Sequence, residues 1–252
     1  MSSQNTPVRI AMWSGPRNIS TALMRAWENR PDTAVCDEPF YAYYLNRTGL
    51  IHPGRNEIIE SQATEWPTVM ERLTGRVPEG KAIFYQKHMV HHLLPEVDRS
   101  WLPRLKHAFL IRSPREMLSS LASVTPEPTV QDTGLPQQLE LYSFLLSATG
   151  EKPPVVDSRD ILKNPEGMLH ALCRALKVPF LESMLSWPPG SRVSDGVWAP
   201  YWYDRVESSS GFRPYRPSTK RLPSALEGVC GECLGLYARL HGNRLEPHVT
   251  EI

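Results

Sequence analysis

Val8-Arg9-Ile10-Ala11-Met12-Trp13-Ser14-Gly15-Pro16-Arg17-Asn18-Ile19-Ser20-Thr21 is the stretch whose reading decides the architecture of this chain. An apolar run rich in strand formers leads into a Gly-Pro turn. After it, Ala22, Leu23, Met24, Ala26 and Trp27 recur at helical spacing. The pattern is strand, tight loop, helix N-terminus, with one cation and two hydroxyls at the junction. Free backbone N–H groups and the helix dipole favour an anion there, and Arg17 adds a charged fork. Phosphate or sulfate is the expected ligand. The ATP-binding pattern requires Gly-Lys before the hydroxyl residue, whereas here Ile19 precedes Ser20.

Outward from this unit, strand-like and helical segments alternate. Strands are expected at Val8–Trp13, Ala34–Asp37, Ala82–Gln86, His107–Ile111 and Pro154–Asp157. Helices are expected at Ser20–Asn29, Trp66–Leu73, His91–Leu94, Pro114–Ser123, Pro136–Thr149, Pro165–Leu176 and Ser224–Leu240. Short apolar strands without clean alternation suit a sheet covered on both faces. The expected fold class is therefore α/β, a single domain over residues 1–252 with a mainly parallel central sheet flanked by helices. Proline numbers 24 of 252 residues, and its excess marks ordered loops near 124–136 and 179–220.

Composition narrows the function. Lysine and arginine number 28 against 27 acidic residues, so no global field draws nucleic acid or anionic lipid and any anion site is local. No apolar run approaches the roughly 18 residues of a membrane span. Met1–Thr6 is polar and lacks the pattern of a signal peptide, which points to a cytoplasmic protein. Cys230 and Cys233 have CxxC spacing, but with only Cys36 and Cys173 besides, no second pair completes a zinc site; buried thiols are expected.

A second anion-suited junction follows the strand His107–Ile111. Arg112 stands at its end, Ser113-Pro114 opens a helix, Glu116 suits the positive helix end, and Ser120 lies two turns along. An arginine at the carboxyl end of a parallel strand faces the crevice where open α/β sheets bind ligands. Two such junctions suit a nucleotide with phosphates at two places.

These residues resemble the sulfotransferase family, enzymes of P-loop nucleotide-hydrolase-like fold that use 3′-phosphoadenosine 5′-phosphosulfate as sulfuryl donor. The family's first motif, Pro-Lys/Arg-Ser-Gly-Thr-Thr, stands here as Pro16-Arg17-Asn18-Ile19-Ser20-Thr21. The resemblance implies that Arg17, Asn18, Ser20 and Thr21 hold the 5′-phosphosulfate. The second motif places an Arg and a Ser eight positions apart on the 3′-phosphate, as Arg112 and Ser120 are spaced. Gln86-Lys87-His88-Met89-Val90-His91-His92-Leu93-Leu94-Pro95 is similar to the Lys-Thr-His-Leu-Pro and His-Leu-Leu-Pro run of cytosolic members, which puts His88 on the catalytic base. Asp37-Glu38-Pro39-Phe40 resembles a Glu-Pro element of bacterial members, and Ser158–Pro165 resembles the family's Tyr-Glu-Asp segment. The resemblance implies direct sulfuryl transfer to a hydroxyl or amine of a small-molecule acceptor, with His88 as base, Arg17 on the developing charge and no metal.

Departures from the motifs are specific. Ile19 replaces a loop glycine, so the loop is expected not to depend on a glycine-only conformation. Gln86 replaces a lysine, and Ser158 a tyrosine. The C-terminal Arg-Lys-Gly loop is absent; Gly211–Arg216 is the stand-in, with Arg213, Arg216 or Lys220 as phosphate contacts. Other readings remain beside this one. His88 and His92 at i, i+4 have the spacing of a metal pair, without the glutamate of HExxH. The aromatic stretches Phe40–Tyr44 and Trp198–Tyr203 either line an acceptor pocket or cover the sheet. Asp195 and Asp204 are candidate acceptor contacts. The rival functions are a P-loop-type phosphotransferase or nucleotide hydrolase, and a nucleotide-binding protein without chemistry.

Overall fold

The computed structural model describes residues 6–217 and 221–248. Five strands form one sheet: β1 (Val8–Ser14), β2 (Thr33–Asp37), β3 (Ile83–Met89), β4 (Lys106–Ile111) and β5 (Val155–Asp157), in the order β2-β3-β1-β4-β5. Every pairing is parallel. Around them lie α1 (Ser20–Glu28), α2 (Tyr41–Thr48), α3 (Arg55–Ser61), α4 (Trp66–Thr74), α5 (Pro114–Leu121), α6 (Leu135–Thr149), α7 (Ser158–Lys163), α8 (Pro165–Ala175), α9 (Ala199–Trp202), α10 (Asp204–Glu207) and α11 (Glu227–His241).

Period-two alternation divides the core into two layers. Ile10, Met12, Tyr85, Ala108 and Leu110 pack with Leu23, Met24 and Trp27 of α1 and with Leu169 and Leu172 of α8. Ala11, Trp13, Phe84, Phe109 and Ile111 pack on the other face with α4, α6 and α11. Both faces are buried, which is why the strands read as nearly continuous apolar runs. Local chemistry starts several helices. The Asp157 side chain accepts from Arg159 N at 2.7 Å at α7, Asn164 accepts from Gly167 N at 2.9 Å at α8, and proline occupies the first turn of α5, α6 and α8.

Three expectations need correction. β3 continues beyond Gln86 to Met89, so Lys87 and His88 are strand residues. The helix expected at His91–Leu94 is a single 3-10 turn, Val90–His92, too short a run for an α-helix before Pro95. Helices α2 and α3 were not anticipated; their buried face is largely aromatic, with Tyr41, Tyr43 and Leu45 in α2 and only Ile58 in α3, so a regular apolar stripe is missing.

Candidate active site

Strand β1 ends centrally in the sheet and delivers the Gly15–Ile19 loop to the start of α1. Gly15 packs so tightly that a Cβ there would lie 2.3 Å from the Thr133 carbonyl oxygen. Beyond it, Arg17 and Ile19 both take left-handed backbone, with φ 61° and 62°. Ile19 therefore does adopt the conformation that glycine adopts freely, contrary to the expectation from sequence. Left-handed residues in a turn gather backbone N–H groups into the concavity that binds anions.

The loop is held from the β4 side. Arg112 Nη1 donates to the Arg17 carbonyl at 2.7 Å, and Arg17 Nε donates to Ser120 Oγ of α5 at 3.0 Å. Arg112 Nε meets Glu116 at 3.3 Å, and Tyr215 OH donates to the same carboxylate at 2.6 Å. Arg17, Arg112 and Ser120 are thus brought together from three elements. Burial, then the charges of Arg205 and Arg112, lower the pKa of Arg17. Ser20 and Thr21 begin α1 at the same place. Asn18 is different: it is buried and donates to the Leu110 carbonyl at 3.3 Å, an oxygen shared with Gln138 at 2.9 Å. It anchors the loop to β4. Arg213 donates to Ser208 Oγ at 3.0 Å and to the Arg205 carbonyl at 3.3 Å. Arg216 is exposed, and Lys220 lies outside the described residues.

On the β2–β3 side, the strand register places His88 beside Trp13, with the rings stacked at 4.2 Å. His88 is 2% exposed, its Nε2 is 3.3 Å from Gln86 Oε1, and burial with the neighbouring His107 pushes its pKa down to about 3. It is therefore neutral at pH 7 and buried in this structure. Its neighbour Lys87 points to the opposite face and is equally buried. Lys87 Nζ donates to Asp37 Oδ1 at 2.8 Å, Glu38 Oε1 at 2.7 Å and Tyr203 OH at 2.7 Å. Burial alone would favour a neutral amine, yet the Asp37 and Glu38 carboxylates hold it protonated, its pKa well above the usual lysine range. Tyr203 OH in turn donates to Asp37 Oδ2 at 2.6 Å. Glu38 stands just beyond β2 with φ 38°, its second oxygen 3.9 Å from His92 Nδ1. Burial raises its pKa, and the attraction of Lys87 opposes that.

The network was not legible from sequence. Lys87 lies on β3, Asp37 and Glu38 at the end of β2, and Tyr203 is remote in sequence from both; the strand expected to stop at Gln86 left Lys87 outside any face. The aromatic stretches do meet, as Tyr41, Ala42, Trp198 and Tyr203 share one buried cluster. Asp195, considered for the acceptor, is instead bound to Arg25 Nη2 at 2.7 Å. His88 and His92 do not converge, because His92 lies between Tyr41 and Tyr44, each ring centroid 4.6 Å away. Among the described residues no group of three or more His, Cys, Asp or Glu is arranged to hold a metal. The four cysteines are buried and unpaired. No described helix is long and apolar enough to cross a membrane.

Comparison with known proteins matches residues 8–224 to the sulfotransferase domain family. Two curated relatives from Arabidopsis thaliana are branched-chain-amino-acid aminotransferase-like proteins 1 and 2. The first is 35% identical over 243 residues, covering 96% of this chain and 42% of the relative. The second is 32% identical over 228 residues, covering 90% and 40%. The chain thus spans about two-fifths of the length of these relatives. Among solved structures, a sulfotransferase from Alicyclobacillus acidocaldarius aligns with TM-score 0.54 at 11% identity, covering 94% of this chain and 95% of that one. The sulfotransferase domain from the curacin biosynthetic pathway aligns with TM-score 0.50 at 16% identity, covering 97% and 100%. At these identities the likeness is one of fold.

Proposed function

The chain belongs to the sulfotransferase domain family, and from that premise we propose that it moves a sulfuryl group from 3′-phosphoadenosine 5′-phosphosulfate to a hydroxyl or amine of a small-molecule acceptor. One observation carries the reading: Arg17, Arg112 and Ser120 converge on a left-handed loop at the head of α1, joined by the 3.0 Å and 2.7 Å bonds between them. That constellation offers cations and N–H groups to a polyanionic donor.

In the proposed step the acceptor oxygen attacks sulfur while the bond between sulfur and the 5′-phosphate oxygen breaks. The electron pair stays on the departing phosphate, and the acceptor's proton passes to a base. Loose transfer of this kind is served mainly by positioning and by neutralising charge on the leaving oxygen, the role given to Arg17. Arg112 and Ser120 hold the nucleotide away from the reacting atom. Sequence resemblance puts the base at His88. A specific observation favours a second reading, in which Glu38 is the base: its carboxylate lies at the carboxyl edge of the sheet with one oxygen free of Lys87, whereas His88 is buried against Trp13. A carboxylate of raised pKa is the better proton acceptor.

The aminotransferase-like name describes relatives more than twice as long as this chain. It places branched-chain amino acids first in an acceptor screen. The test is calorimetric titration with adenosine 3′,5′-bisphosphate, with ATP and Mg²⁺ in parallel. Tight binding of the bisphosphate alone supports the donor site; preference for ATP moves the case to phosphoryl transfer. Single-turnover rates of Glu38→Gln and His88→Ala then assign the base. Loss of turnover with donor binding retained identifies it.

A further inference from the structure

The parallel register carries β3 alongside β1 until Met89 stands opposite Ser14, so the turn Val90–His92 follows next to the loop that begins at Gly15. Gly134 links the two, since a Cβ there would lie 2.9 Å from Val90 Cγ1 and 3.2 Å from Gly15 Cα. Glu38 reaches the same edge from β2, its N–H donating to the Lys87 carbonyl at 2.9 Å. Two further bonds fix it: Lys87 Nζ holds Oε1, and Gln62 Nε2 donates to the Glu38 carbonyl at 3.3 Å. The His92 ring is clamped between those of Tyr41 and Tyr44. Both side chains are therefore firmly placed, that of His92 4% exposed and that of Glu38 11%.

Each presents one hydrogen-bonding atom without a partner among the described residues. His92 Nδ1 is buried and unpaired, and Glu38 Oε2, the oxygen that Lys87 does not hold, lies 3.9 Å from it. A direct N–H···O bond spans about 2.7–3.2 Å, so these two atoms do not bond each other. One oxygen about 2.8 Å from each would complete both contacts. Buried polar atoms are almost always paired, and this pair calls for a partner from outside the chain. Burial keeps the His92 pKa well below the usual histidine range, so the ring is neutral at pH 7 and carries a single N–H. A bare Nδ1 would set its lone pair against the carboxylate, so the N–H faces Glu38. One site donates and the other accepts. A hydroxyl answers both at once, whereas a protonated amine has no lone pair for His92.

We propose that Glu38 Oε2 and His92 Nδ1 together seat the reacting hydroxyl of the acceptor, which is an alcohol and not an amine. The assignment rests on the sulfotransferase reading above and narrows its acceptor. In the step, the seated oxygen bonds to sulfur and its proton passes to Glu38 Oε2. The bond from sulfur to the 5′-phosphate oxygen breaks, its electron pair remaining on that phosphate. His92 keeps its proton; it engages one lone pair of the hydroxyl and leaves the other for sulfur.

The experiment follows release of adenosine 3′,5′-bisphosphate from 3′-phosphoadenosine 5′-phosphosulfate in single turnover at pH 7. The acceptors are 3-methyl-1-butanol, the matched 3-methylbutylamine, and water alone. The bisphosphate is titrated into each protein in parallel. His92→Phe keeps a ring between the two tyrosines but loses the N–H. His92→Asn loses the ring but offers an N–H in place of Nδ1. Release by wild type is faster with the alcohol than with the amine. His92→Phe and Glu38→Gln slow the alcohol reaction about 10-fold or more, the worth of one hydrogen bond, and bind the bisphosphate as wild type does. His92→Asn recovers part of the rate despite a lower thermal midpoint. The reverse order, an active His92→Phe and an inactive His92→Asn, gives His92 a packing role and overturns the proposal. Faster release with the amine overturns it too, as does a wild type that binds the bisphosphate yet transfers to neither the alcohol nor water. If no protein binds the bisphosphate, the donor reading itself fails and takes the acceptor seat with it.

Discussion

At Ile19 a β-branched residue is held at φ 62°, a conformation that costs an L-residue about 1–2 kcal/mol. Such strain persists only where the surroundings over-determine it. They do so here through the Arg112 bond to the Arg17 carbonyl and the Asn18 bond to the Leu110 carbonyl. The sequence shows a missing glycine and therefore suggests a different loop; the neighbours that impose the conformation come from β4 and cannot be read locally. Arg112 consequently has two tasks, shaping the loop and offering charge. Arg112→Ala is expected to weaken adenosine 3′,5′-bisphosphate by about 10- to 100-fold, the worth of one charge-assisted bond. Adenosine 5′-phosphate should lose less, through the loop alone. Equal losses for both ligands in a titration would place Arg112 away from the 3′-phosphate.

At the scale of elements, the five strands and the helices that cover the sheet were legible because burial on both faces leaves long apolar runs. The candidate site was legible only where it is local: Arg17, Ser20 and Thr21 follow one strand, and Arg112 and Ser120 another. What was hidden is contact between elements. Gly15 and Gly134 show it, since a Cβ on Gly134, itself at φ 72°, would lie 3.2 Å from Gly15 Cα, while one on Gly15 would strike the Thr133 carbonyl. The start of α6 and the anion loop are thereby packed backbone to backbone. Gly15→Ala forces them apart, because a carbonyl cannot swing away as a side chain can. Destabilisation of about 1–3 kcal/mol is expected, as for other overpacked sites, together with a sharp loss of bisphosphate affinity. Thermal unfolding and titration of one preparation check both. A Gly15→Ala protein of wild-type stability would show that this contact is slack.

Across the whole molecule, buried ionisable groups tie stability to pH. His88 is pushed down to about 3, and His91 and His107 to about 4, in each case first by burial. An unfolded histidine titrates near 6.5. Below that pH the unfolded chain binds protons that the folded chain refuses, so stability rises with pH across the window and is lost as pH falls from about 6.5 toward 4. The urea midpoint should drop steeply over that interval and change little between pH 7 and 8. A midpoint flat from pH 7 to 4 would mean that these rings gain access to water in solution. The larger dependence is on Lys87, which joins β2, β3 and the segment around Tyr203 through Asp37, Glu38 and Tyr203. Lys87→Met keeps much of the volume but leaves two buried carboxylates without their cation. Breaking a buried pair from one side costs about 3–5 kcal/mol, whereas removing all its charges together is often neutral. Lys87→Met should therefore lower the urea midpoint strongly, and adding Asp37→Asn and Glu38→Gln should restore most of it. If the single variant is as stable as wild type, water reaches this network and the segment around Tyr203 is not locked by it. If the triple variant stays as unstable as the single one, packing of the lysine stem, rather than charge, holds these elements together.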